Sequence, residues 1–169
     1  MLEWADALDV EEIAYFDRGP VDSTHMAMGG SWSVYWYNGV MVSSEIARGL
    51  DIVELTPSAF ISQNEIDAAK TVHFDYLNAQ GQPKLVWPPS FALARSFVDQ
   101  IERSGGLASG RITSIRAALG SAESAKGEAR HTALHKIADQ LGGDAYGPDA
   151  AKVRMLAGAV RELAAAKTK

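Results

Sequence analysis

Ser33-Val34-Tyr35-Trp36-Tyr37, Asn38-Gly39, Val40-Met41-Val42-Ser43-Ser44 is the stretch that decides the first half of this chain. Its β-branched and aromatic residues suit a pleated, half-buried surface. Asn-Gly between them supplies the two positions that tolerate the positive φ of a type I′ turn. The stretch therefore predicts an antiparallel hairpin. Downstream, Leu50-Asp51-Ile52-Val53-Glu54-Leu55 mixes apolar and acidic residues and stops at Thr56-Pro57, which predicts a third strand. Upstream, Ile13-Ala14-Tyr15-Phe16 is closed by Asp17-Arg18-Gly19-Pro20 and reads as strand then turn. The expectation is a compact meander of three or four antiparallel strands.

Beyond it, Ser62-Gln63-Asn64-Glu65 has the spacing of a capping box, with Ile66, Ala68 and Ala69 predicting a short helix behind it. Val72 to Leu77 and Lys84 to Trp87 read as two strands about a turn at 78–83. From Phe91 the period changes to that of a helix. Phe91, Ala94, Phe97, Val98 and Ile101 share a face that stops at Gly105-Gly106. Ile112, Ile115, Leu119 and Ala122 form a second stripe after Ser109. Leu134, Ile137, Ala138 and Leu141 form a third, stopped by Gly142-Gly143. Val153, Leu156, Ala157, Val160 and Leu163 form a fourth behind Pro148-Asp149. Four amphipathic stripes with short connections predict an up-and-down bundle. The fold class expected is α+β: a β-meander over 1–60, a helix and β-hairpin connector over 61–89, and a bundle of four short helices over 90–169.

Composition agrees with two unlike parts. Of the 14 Phe, Trp and Tyr residues, 13 fall at or before Phe97 and only Tyr146 follows it. Residues 1–90 carry 4 Lys/Arg against 13 Asp/Glu, a net of −9, and residues 91–169 carry 12 against 8, a net of +4. The basic half has no dense Lys/Arg run and almost no aromatic residues for stacking, which argues against nucleic acid as a partner. With no cysteine, disulfides, thiolate zinc sites and a cysteine nucleophile are excluded. No apolar run reaches the roughly 18 residues of a membrane span. Met1 to Asp6 is acidic where a secretory signal is basic, so a complete chain would be cytoplasmic.

Three segments carry a family likeness: Ala14-Tyr15-Phe16-Asp17-Arg18-Gly19-Pro20, Gly30-Ser31-Trp32-Ser33-Val34-Tyr35-Trp36-Tyr37-Asn38-Gly39, and Ser44-Glu45-Ile46-Ala47-Arg48-Gly49-Leu50-Asp51-Ile52-Val53. Together they resemble the closing blade of bacterial LVIVD-repeat proteins, with Leu50 to Leu55 in the place of the name-giving strand. The likeness continues through Asn64 to Ala69 and Val86-Trp87-Pro88-Pro89 into the helical tail. That tail also looks like the FIMAH-type helical modules at the C-termini of secreted bacterial proteins. The resemblance implies a β-propeller, usually exported and often at the cell surface, and brings no catalytic motif to carry over; no cofactor is expected. A propeller takes several blades, and this chain has sequence for one or two. It is then the C-terminal piece of a longer protein, or its meander is covered in some other way.

Consecutive Tyr35, Trp36 and Tyr37 send at least one large ring to each face of the sheet. Coverage of the second face falls to the helical half, to a second copy of the chain, or to blades of another polypeptide. The expected partner is therefore protein. Met26, Met28, Trp32, Tyr35 and Tyr37 read as a groove or partner surface, and equally as ordinary core material. Glu45 and Arg48 read as binding residues or as an ion pair fixing the loop before Gly49. Asp17, Asp22 and His25 could hold a cation or do acid–base work with Glu45, although Asp is also a common turn residue. His131 and His135 lie one helical turn apart, but without Glu at 132 the zinc-protease pattern is absent, and they read as a solvated helix face. No Gly-x-Ser-x-Gly elbow and no phosphate-cradling glycine loop occurs. The function expected is a non-catalytic interaction or cell-surface module. The alternative is a hydrolase-like or cation-binding protein with its site at the strand-loop corner.

Overall fold

The computed structural model describes residues 12–166, so residues 1–11 of the expected meander unit and 167–169 of the bundle unit lie outside the described residues. Three antiparallel strands, β1 (Ser31–Tyr37), β2 (Val40–Glu45) and β3 (Gly49–Val53), lie in the order β1-β2-β3. Tyr37 pairs with Val40 across a two-residue turn, and Asn38 (φ 48°) and Gly39 (φ 94°) both adopt the positive φ that the sequence predicts. The second hairpin closes over Ile46-Ala47-Arg48, after which Gly49 takes φ 92°. Between Ser31 and Ser33 the β1–β2 register shifts, which leaves Trp32 as the extra residue of a bulge.

The register assigns the faces. Tyr35, Val42 and Ile52 stand in one row, and Ser33, Ser44 and Leu50 in the next. The opposite face carries Trp36, Met41 and Val53, then Val34, Ser43 and Asp51. The chain itself covers one end of that second face: Ser43 and Glu45 are buried under residues 17–30. Gly29 lets the segment pass closely there: a Cβ on it would stand 2.4 Å from Val21 Cγ2, which would have to shift.

Three expected strand segments are corrected. Ile13–Phe16 is not a strand; Arg48 and Arg18 hold the residues that follow it over a face of the sheet, away from a pairing edge. The hairpin expected at Val72–Leu77 and Lys84–Trp87 is also absent, and a single 3-10 turn, Ala79–Gly81, stands between these runs. The backbone of Phe74 is bonded elsewhere. Its N–H donates to Asn38 Oδ1 (2.8 Å), and its carbonyl accepts from Asn38 Nδ2 (3.0 Å) and the Tyr37 hydroxyl (3.0 Å). Pro83, Pro88 and Pro89 have no N–H to give a ladder. This clasp at the tip of the first hairpin joins the sheet to the segment leading into the helices.

The described residues hold five α-helices, not four: α1 (Gln63–Lys70), α2 (Phe91–Arg103), α3 (Ser109–Ser124), α4 (Gly127–Asp144) and α5 (Ala150–Ala165). The capping box forms as predicted, Ser62 accepting from the Glu65 N–H while the Glu65 carboxylate accepts from the Ser62 N–H. The connector helix α1 packs on α2, with Ala68 against Leu93 and Ala159. Helices α2 to α5 form a ring in which consecutive helices touch and α5 returns to α2. Their predicted stripes meet in one core where Val98, Ile101, Leu119, Leu141, Leu156 and Val160 are wholly buried.

α2 ends as its glycines predict. Gly105 takes φ 69°, Gly106 N–H donates to Ile101 O (2.9 Å) and Gly105 N–H to Glu102 O (3.0 Å), the two bonds of a Schellman motif. Gly142-Gly143, by contrast, does not stop α4. Buried Leu141 and the ion pair of Asp144 with Arg111 (2.6 Å) hold the last turn helical. Arg116 ties α3 to α2 through Asp99 (2.6 Å) and Glu102 (2.6 Å). Burial raises the Asp99 carboxyl, but donors from Asn64 and Arg116 outweigh it and hold the group below its ordinary range.

Candidate functional site

Residues 17–30 cross the end of the sheet where β2 turns into β3, and enclose a cavity of about 450 Å³. Asp17, Asp22, His25, Glu45 and Arg48, the polar candidates of the sequence, all line it, together with Arg18 and Asp51. The structure brings these residues together and shows how each is used.

Glu45 holds the corner. Its Oε1 accepts from Gly30 N–H (2.7 Å) and its Oε2 from the N–H groups of Ala47 (2.9 Å) and Arg48. One carboxylate thus closes the β2–β3 turn and pins the crossing segment to it. The Gly30 N–H is the main cause that holds Glu45 below its ordinary value near 4.5, against an opposing effect of burial. Arg48 points the other way, donating to Pro20 O (2.8 Å) and Gly19 O (3.3 Å). Arg18 pairs with Asp51 on β3. Asp17 accepts from Gly19 N–H (2.7 Å), and Asp22 Oδ1 from the Thr24 N–H (2.7 Å), the Thr24 hydroxyl (2.8 Å) and the His25 N–H (3.1 Å). The Thr24 N–H leads the donors that hold Asp22 below its ordinary range.

These are the bonds of a braced loop. Among the described residues no three His, Asp or Glu side chains gather as a cation site. Because the lowered Glu45 value gives stability that is present above the ordinary value, the brace is expected to hold at neutral pH and to loosen as pH falls through the lowered value. Amide exchange followed by NMR checks this. Gly30, Ala47 and Arg48 should lose protection together on acidification, and Glu45→Gln should already have low protection at neutral pH.

The aromatic candidates lie elsewhere. Tyr35 and Tyr37 line a second, open cavity of about 680 Å³ with Val42 and residues 75–80. Trp32, in its bulge, is 79% exposed and lines neither cavity. Met26 borders the corner cavity and is fully exposed, as Met28 largely is, so neither is core. Leu50 and Ile52 were not predicted as surface residues, yet they are 61% and 64% exposed beside Tyr35 at 48%. Alternation in Leu50-Asp51-Ile52 was the available signal, since it sets both apolar side chains on the face opposite Asp51.

Comparison of the chain with protein-family models, curated proteins and solved structures found no match.

Proposed function

We propose that this chain is a non-catalytic protein-interaction module whose contact surface is the sheet face of Tyr35, Leu50 and Ile52. One observation carries the reading: these three side chains share a face and remain 48–64% exposed, although the opposite face is braced by the chain's own residues 17–30. The outer edges of β1 and β3 pair with no further strand among the described residues, so the same sheet also offers backbone donors and acceptors. An apolar face beside open edges is a surface on which another sheet can seat itself. The partner is a second copy of the chain or further blades of a propeller. The resemblance to LVIVD-repeat proteins supports the latter and a place at the cell surface. Among the described residues no helix is long and apolar enough to cross a membrane.

Size-exclusion chromatography with light scattering tests the reading. The chain is expected to run above its 18.1 kDa monomer mass as concentration rises, or as a monomer that binds an apolar dye. Ile52→Lys should abolish either behaviour. A monomer that binds no dye would sink the proposal. The hydrolase-like or cation-binding alternative is second because the Glu45 and Asp22 oxygens it needs already accept backbone N–H groups. A stoichiometric cation lost on His25→Ala would restore it.

A further inference from the structure

The exposed face of α4 carries a pair of side chains that the interaction reading leaves unused. His131 and His135, four residues apart, bring their Nε2 atoms to 3.1 Å. Their rings meet edge to face, with centroids 4.3 Å apart and an interplanar angle of 61°. The two nitrogens therefore converge on one point in solvent. Neutral imidazole offers a lone pair at one nitrogen only, so two facing Nε2 atoms at this distance can share a single proton or a single cation.

We infer that His131 and His135 form a surface chelate for a first-row divalent cation of the copper, nickel or zinc class. With metal–nitrogen bonds of about 2.0–2.1 Å, two nitrogens 3.1 Å apart subtend roughly 95–100° at the ion. That angle falls between the octahedral and tetrahedral values, so the separation of the two nitrogens suits one shared ion. A second feature points the same way. Glu128, one turn earlier, sets Oε1 3.7 Å from His131 Nδ1. A carboxylate this close places negative charge beside the pair, which favours a cation there.

The ligand set decides the metal. Two imidazoles suit copper, nickel and zinc, whereas calcium and magnesium require oxygen. No third His, Asp or Glu joins the pair as a ligand group among the described residues. The rest of the coordination shell is then open to water or to a donor from outside the chain. The pair borders an open groove of about 490 Å³ with Thr132, Lys136, Asp139 and Gln140, which leaves room for such a donor.

Calorimetric titration of the full chain with Cu²⁺ tests the inference, read beside the electron paramagnetic resonance of the bound ion. One Cu²⁺ per chain with two-nitrogen ligation is expected, unaffected by excess Ca²⁺ or Mg²⁺. His131→Ala and His135→Ala should each weaken binding at least tenfold. Both positions are on an exposed helix face where alanine is well tolerated, so the variants are expected to keep their helical circular dichroism. Undiminished Cu²⁺ binding in the double variant would overturn the inference. So would loss of binding in His25→Ala or His73→Ala in place of the α4 variants.

Discussion

Leu119→Ala is expected to destabilise the helical part by about 3 kcal/mol. Leu119 is fully buried on α3, which touches both α2 and α4, and it belongs to the core in which all four bundle stripes meet. Truncation loses the transfer energy of the removed methyl groups and leaves a cavity that three packed helices can only partly close. For a helical unit of this size the thermal midpoint should fall by roughly 12–24 °C. Thermal unfolding followed by circular dichroism measures it. Leu119→Met, which nearly conserves volume, should cost less than about 1.5 kcal/mol. If Leu119→Ala leaves the midpoint within a few degrees, α3 does not belong to the core described.

Gly106→Ala is expected to cost about 1–3 kcal/mol by overpacking. A methyl at this position would meet Asp149 Oδ2 at 2.1 Å and Asp149 Cβ at 2.6 Å. Asp149 precedes α5, and its carboxylate accepts from the Ser104 hydroxyl at the end of α2 (2.5 Å). The clash therefore drives apart the end of α2 and the start of α5. Gly120 is the control: it lies inside α3 with open space around its missing Cβ, so Gly120→Ala should stabilise by about 0.5–1 kcal/mol. Denaturant unfolding of both variants tests the pair of signs. Asp149→Gly should rescue Gly106→Ala, because it removes the atoms that clash.

The elements legible in the sequence are those whose causes are local. Asn38-Gly39 specifies its turn with two residues, and each bundle helix shows its buried stripe within its own span. The missed features are governed by atoms far along the chain. Val72–Leu77 reads as a strand by composition, but Phe74 gives its backbone bonds to a side chain 36 residues earlier. Gly142-Gly143 has the form of a helix stop, but Arg111 on another helix holds the turn that follows. Of the candidate site, the sequence identified the polar corner residues but not their use. That Glu45 accepts three backbone N–H groups depends on where Gly30 arrives from outside the hairpin. Periodicity also assigns Leu50 and Ile52 to a face without telling whether anything lies upon it.

The order β1-β2-β3 has a consequence for how the chain is made. Each strand pairs only with its neighbour in sequence, so no ladder bond in the sheet waits for a residue after Val53. Contacts of such short span form early, because little loop entropy is lost in closing them. On a ribosome the sheet can be complete while α3 to α5 are still untranslated, and the clasp on Phe74 can close as soon as that residue emerges. The Tyr35, Leu50 and Ile52 face is thus presented to the surrounding solution from early in the life of the nascent chain.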